Sequence, residues 1–330
     1  MIKRREFCKS SLLAVLAGVA GCSRGMSNPT LTATSETLPK ELLSALPVPW
    51  VFQELNVKTL KESSQILTSS NADLFAIGDG WIPQLEKEFF RPIESPKIYS
   101  RLNEHAEQFL ESFGQEISIR VVPIGVSPWV MLFRNGQEFS SRAKAGWDVL
   151  LDPELKGKLV LPESPRLVMS IADQIGQADG LRQLRQQALT FDDKNGLNWV
   201  LSGRARVAIL PLYRCFSSLS RDLRLSVFLP ESGAPLHWTF LARPINTKQP
   251  FPESWIAQVW SMPLMVKLLA RGWIPPINDS ELRSAIENVP NSYRQILLST
   301  NAFWDQNWSL PYLPEVEIVR LENIWRQSTP

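Results

Sequence analysis

Histidine is almost missing from this 330-residue chain, with only His105 and His237, and cysteine occurs three times. No Cys or Asp stands at metal-ligand spacing from either histidine, so neither a metal nor another cofactor is expected. His105, beside Glu104 and Glu107, reads as part of a solvated helical face. There is no glycine loop of the kind that cradles phosphate. Gly125-Val126-Ser127-Pro128-Trp129 is not a nucleophile elbow, because Trp129 occupies the place of the second glycine. Asp192-Asp193, before Lys194-Asn195-Gly196, reads as a turn rather than a catalytic acid pair. These lacks weigh against an enzyme. Charge of one sign is also lacking: 35 Lys+Arg face 33 Asp+Glu. That balance excludes the electrostatic footprint of a nucleic-acid binder. No apolar run is long enough to span a bilayer, and no internal repeat of fixed period is present.

What the chain does have begins at residue 1. Lys3, Arg4, Arg5 and Lys9 precede the nine apolar or small residues Leu12 to Ala20. A helix of that length, at about 1.5 Å per residue, falls short of a ~30 Å hydrocarbon core. A charged start and a short apolar run describe an export signal over 1–21. Lys3-Arg4-Arg5-Glu6-Phe7 resembles a twin-arginine signal, and Val19-Ala20-Gly21-Cys22 resembles a lipobox, which would make Cys22 a lipidated first residue. Acyl chains, at about 0.8 kcal/mol per buried methylene, would hold the protein on the outer side of a membrane. With the four bases and one acid of the leader set aside, 31 bases face 32 acids, net −1. Cys215 is then the sole remaining thiol, so an exported body must rely on its core rather than on a disulfide. About 300 residues suffice for one large or two medium domains.

Residues 22–39 are rich in Ser, Thr, Pro and Gly and read as a tether. Strands are expected over Trp50–Leu55, Ala72–Ile77, Ile117–Val121, Trp129–Arg134, Lys158–Leu161, Val207–Leu210, Leu225–Phe228 and Trp238–Ala242. Helices are expected over Leu60–Leu67, Leu102–Phe113, Arg166–Ile175 and Leu181–Leu189, with mostly helix beyond Glu253 and a cap at Asp279 or Ser280. Alternating strands and helices predict an α/β fold with a largely parallel sheet. In such sheets ligands bind where strands end and helices begin. Two junctions stand out, Ile77-Gly78-Asp79-Gly80-Trp81 and Leu161-Pro162-Glu163-Ser164-Pro165-Arg166. Both can also be read as plain helix caps, with Ser164 at the N-cap and Pro165 in the first turn.

Three segments carry a family likeness. Ala72-Asp73-Leu74 through Gly78-Asp79 is the first. Trp147-Asp148-Val149-Leu150-Leu151-Asp152-Pro153-Glu154-Leu155-Lys156-Gly157-Lys158 is the most specific, and Leu201-Ser202-Gly203-Arg204-Ala205-Arg206-Val207-Ala208 is the third. Together they resemble the periplasmic solute-binding proteins of ABC importers, in the branch that includes the spermidine- and putrescine-binding proteins. The resemblance implies a two-lobed periplasmic-binding-protein fold of the class II type. Crossover strands would lie near Ile119–Phe133 and Leu236–Pro244. The first lobe would comprise 40–125 and 241–330, its C-terminal helices packing on either lobe, and the second 126–240. It also implies a monomer that closes on a small molecule and then docks on a membrane permease.

The likeness has gaps. Ser164 and Leu167 stand where the family's second-lobe acids would be, and Thr239 and Phe240 near where another acid would be. The front of the first lobe looks short before Ala72. A buried diammonium ligand needs compensating carboxylates, which Asp79 and Glu163 could supply. Arg166, in a first helical turn, instead favours an anion. The rings Trp81, Trp129, Tyr213 and Trp238 lie near strand ends and read either as cleft walls or as packing. The expected ligand-contacting set is thus Asp79, Trp81, Ser127, Trp129, Glu163, Ser164, Arg166, Tyr213 and Trp238. The expected function is a lipid-anchored extracytoplasmic solute-binding component of an importer. A transport-inactive sensor or scaffold is the first alternative and an envelope hydrolase the second.

Overall fold

The computed structural model describes residues 28–34, 37–55, 71–84, 86–290 and 300–329. The leader, Cys22 and the helix expected over Leu60–Leu67 lie outside those residues. Among the described residues, nine strands form one connected sheet in the order β2-β1-β3-β9-β4-β7-β5-β6, with β8 pairing β4 off that path. They are β1 Thr30–Thr34, β2 Val51–Leu55, β3 Leu74–Gly78, β4 Val121–Arg134, β5 Leu159–Leu161, β6 Ala188–Phe191, β7 Val207–Pro211, β8 Leu225–Phe228 and β9 Leu236–Ala242.

The sheet is mixed, not largely parallel. β1 pairs β2 and β3 in parallel, and β5 pairs β6 and β7 in parallel. Every pair made by β4 or β9 is antiparallel. The cause is β4, fourteen residues long, with thirteen of them buried. Its first part, Val121 to Pro128, pairs β9; its second part pairs β7 and β8. The handover falls at Pro128, which has no N–H to give to a ladder. The other proline, Pro123, coincides with a register shift before Gly125. Gly125 is needed for space: a Cβ there would lie 2.0 Å from the Trp273 ring.

The buried apolar residues gather into three clusters. One draws on residues at both ends of the chain, from Leu31 to Val126 and from Leu236 to Trp304. The other two lie on the faces of the β4–β8 portion and draw on residues from Trp129 to Ala234. Trp147, Val149, Leu150 and Leu155 of the family-like segment are all buried there, and Trp147 Nε1 donates to the Gly233 carbonyl at 2.9 Å. After Phe303 and Trp304 in the first cluster, Leu310 and Trp325 lie against the second. The C-terminal stretch therefore spans from one core to another.

Five local expectations need correction. Thr30–Thr34, in the segment read as tether, is a strand between β2 and β3, with Leu31, Thr32 and Ala33 buried. Threonine's β-branched side chain suits a pleated sheet as well as a loop, so composition alone misled. The front before Ala72 is accordingly built, by β1, the helix Lys40–Ser44 and β2. Gln115–Ser118 is a helical turn, and the strand expected from Ile117 starts only at Val121. The helix expected over Leu181–Leu189 spans Gly180–Gln187 and gives way to β6, whose parallel pairing with β5 outweighs the local helical pattern. The helix Asp279–Ile286 has Asn278 at its N-cap position, without a side-chain cap hydrogen bond, rather than Asp279 or Ser280.

Candidate functional site

The two strand-to-helix junctions form as expected. β3 ends at Gly78 and Asp79 opens a 3-10 turn, Asp79–Gln84. β5 ends at Leu161, and Ser164 caps the eleven-residue helix Pro165–Ile175 by accepting from the Leu167 N–H at 3.4 Å. Proline at N1 with a serine N-cap is a strong local start signal, which is why this helix was legible.

Asp79 is three-quarters or more enclosed, with 13% of its side chain exposed. Its Oδ1 accepts from the Trp238 backbone N–H at 3.3 Å and lies 3.5 Å from His237 Nδ1. His237 is the centre of a ring cluster. Tyr213 stacks on it, centroids 6.2 Å apart at 19°, and Trp129 meets it edge-on at 5.8 Å and 82°. Ser127 stands opposite His237 in the β4–β9 register. Its buried Oγ accepts from the Tyr213 N–H at 3.2 Å. Gly78 leaves room for the imidazole, since a Cβ there would be 3.0 Å from His237 Cε1.

Arg166 is half-buried and donates to the Pro311 carbonyl. Burial pushes its guanidinium down from the usual range, and the charge of Asp79 pushes back. The negative charge at the first junction therefore reaches Arg166 at the second. The stretch that meets Arg166 is fixed on both sides. Trp238 Nε1 donates to Ser309 Oγ at 2.9 Å, Trp308 Nε1 donates to Ser170 Oγ at 2.6 Å, and Trp308 bridges Pro235.

Asp79, Ser127, Trp129 and Tyr213 thus come together around His237, and Arg166 lies within reach of the charge of Asp79. Glu163 does not join them. It sits at the surface, where its N–H donates to Asp193 Oδ1 at 2.8 Å. Partial burial, then the charges of Asp193 and Asp192, raise its carboxyl above the ordinary value. Ser164 is occupied as a cap. The side chain of Trp81 lies outside what the structure describes. Trp238 is fully buried in the first core cluster, against Phe109 at 4.9 Å and Trp304 at 6.0 Å. It packs the core and forms no open wall. The residue that faces the cluster is its neighbour His237, because successive side chains on a strand point to opposite faces. Ser309 and Pro311 were invisible to sequence reasoning, since nothing local marks a contact 145 residues from Arg166.

A family model for bacterial extracellular solute-binding proteins matches residues 61–290. The chain belongs to that family. No curated protein matches it. Among solved structures it is similar to a spermidine/putrescine substrate-binding protein, PotD, from Streptococcus pneumoniae, in complex with calcium and HEPES. That match has a TM-score of 0.67 and 12% identity, and covers 91% of this chain and 98% of that one. It is also similar to the Tp0655 (TpPotD) lipoprotein of Treponema pallidum, with a TM-score of 0.65 and 14% identity over 91% and 99% of the two chains. A ferric binding protein from Campylobacter jejuni matches with a TM-score of 0.58 and 13% identity over 91% and 99%. At these identities the likeness is one of fold: the two-lobed periplasmic-binding-protein architecture.

Proposed function

We propose that this protein is the solute-capturing component of an ABC importer, holding a small polar solute between two lobes. The observation that carries the reading is the arrangement of opposed charges. Asp79 directly follows a strand packed in the first core cluster, and Arg166 lies in the first turn of the helix that follows β5 in the β4–β8 portion. Strand-to-helix junctions of this kind are the usual place for a ligand in an α/β sheet. In this reading the first lobe comprises 40–125 and 241–330 and the second 126–240, with β4 and β9 as hinge strands. Ser127, Trp129, Tyr213 and His237 would then line the hinge side of the cleft. Export and a lipid on Cys22 would keep the protein beside its permease, as a monomer. The Treponema pallidum neighbour is a lipoprotein, which supports that anchor.

A thermal-shift screen against amines, organic anions and amino acids tests the reading. At 100 times its Kd a ligand adds about 2.7 kcal/mol of stability, enough to move the melting temperature by several degrees. A hit supports capture, and silence across a broad panel would favour the sensor or scaffold alternative. One observation speaks for that alternative: Arg166 is already engaged by the chain's own Pro311 carbonyl. Lipidation has its own test. Cys22→Ala should release the protein from the membrane fraction, and retention in that fraction would sink the anchor.

A further inference from the structure

The chain enters its fold at one end of the sheet, and hydrogen bonds pin the entry. The Thr30 N–H donates to Asp73 Oδ2 at 3.0 Å, and the Asp73 N–H returns to the Thr30 carbonyl at 3.0 Å. The Val51 N–H donates to the Pro29 carbonyl at 2.9 Å, and Thr247 Oγ1 donates to Asp73 Oδ1 at 2.6 Å. At this end β1, β2, β3 and β4 begin and β9 finishes. Adjacent strands about 4.8 Å apart make a front roughly 19 Å wide. Asp79 lies at the other end of β3, so the front is separate from the site described above.

Apolar side chains collect on this front. Val48, shortly before β2, is 95% exposed, and the exposed Val51 opens that strand. Ile245 is half exposed, and its N–H donates to the Phe89 carbonyl at 2.8 Å, which sets the exposed Phe89 beside it. Ile119, also exposed, accepts through its carbonyl from the Ile93 N–H at 2.8 Å, just before β4 begins. Charges there offset one another. Lys87 pairs with Glu116 at 2.5 Å, and the charge of Arg91 on Arg243 is opposed by those of Asp73 and Glu94. Attraction by this front is therefore apolar rather than ionic, and open apolar groups gathered in one place mark a contact surface.

The short run of chain ahead of the fold decides the partner. Seven residues separate Cys22 from Pro29, at most about 25 Å of extended chain. An acyl group on Cys22 would hold this end of the sheet within that distance of the bilayer. We propose that the front formed by Val48, Val51, Phe89, Ile119 and Ile245 is a membrane-resting surface, whose apolar side chains enter the headgroup zone of the bilayer. This rests on the lipid anchor in the reading above and goes beyond it. A single weak contact of this kind is marginal and reversible by itself, so Cys22→Ala should still release most of the protein.

The test is sedimentation of the purified full chain carrying Cys22→Ala with vesicles of phosphatidylethanolamine and phosphatidylglycerol. The basic leader is common to every variant. Its ionic attraction is removed by raising the salt from roughly 0.1 M to roughly 1 M, where the Debye length is about 3 Å. Partitioning into the vesicles should persist at high salt, and Phe89→Ser combined with Ile245→Ser should lower it at least fivefold. Leu223→Ser, at a side chain 97% exposed just before β8, should leave it unchanged. Equal partitioning of the double variant and its parent overturns the surface, as does an equal loss in Leu223→Ser or binding that vanishes at high salt. A lipid-free dimer that the double variant abolishes gives the front to a second copy and also overturns it. The vesicle comparison uses no acyl group, so it stands or falls apart from the anchor, which the membrane-fraction test of Cys22→Ala judges.

Discussion

His237 Nδ1 lies 3.5 Å from Asp79 Oδ1, and the imidazole is packed between the Tyr213 and Trp129 rings. One small ring therefore joins the end of β3 to β4, β9 and the helix that begins at Leu212. His237→Ala should lose packing worth about 1 kcal/mol, or about 2–4 °C in melting temperature. His237→Phe should keep most of it. Scanning calorimetry of the two variants checks the difference, and equal losses would mean that the ring contacts contribute little.

Trp238 behaves differently from its neighbour because it is a core residue. Trp238→Ala should cost about 3–5 kcal/mol by opening a cavity, read as a lower denaturation midpoint. Trp238→Phe should cost less and leave Ser309 without its indole partner. A drop below 1 kcal/mol for the alanine variant would return Trp238 to the candidate ligand wall.

At Gly125 the limit is space. Gly125→Ala forces a methyl into the Trp273 ring, and overpacking of this kind costs about 1–3 kcal/mol. Replacing Trp273 by Leu in the same chain should recover part of that loss. A double-mutant cycle should then show coupling of at least about 0.5 kcal/mol. Strict additivity would mean that the backbone, not the ring, accommodates the methyl.

Glu163 gives a pH-dependent outcome. Its folded-state carboxyl is raised, by partial burial and then by Asp193 and Asp192. A raised carboxyl favours the folded state below the ordinary glutamate range, and the advantage is lost as pH rises through the folded value. Glu163→Gln should therefore be neutral or slightly harmful near pH 4 and slightly stabilising near pH 7. The effect is small because the side chain is at the surface. Melting curves at the two pH values check the sign, and a gain that is larger at pH 4 would contradict it.

Much of the frame could be read from local pattern. Leu74–Gly78 and Leu159–Leu161 are short apolar runs closed by turn residues, and Ser164-Pro165 announces the helix that follows. What escaped was decided by distant partners. Thr30–Thr34 is a strand because β2 and β3 flank it, and nothing in its own composition separates it from a tether. On β9 Trp238 has the larger ring, but the two-residue alternation of a strand sends it into the core and leaves His237 at the junction. Ser309 and Pro311 carry no signal of their own. They matter because two tryptophans and an arginine from elsewhere in the chain hold them in place.

The stretch from Phe303 to Trp325 couples two cores. Leu310 and Trp325 rest on one core while Phe303 and Trp304 belong to another, and Arg185 lies 3.9 Å from the Trp325 ring and bonds Ser328 at 2.7 Å. Pulling that stretch away would strip apolar cover from both cores at once, so the two portions are expected to lose structure together rather than one after the other.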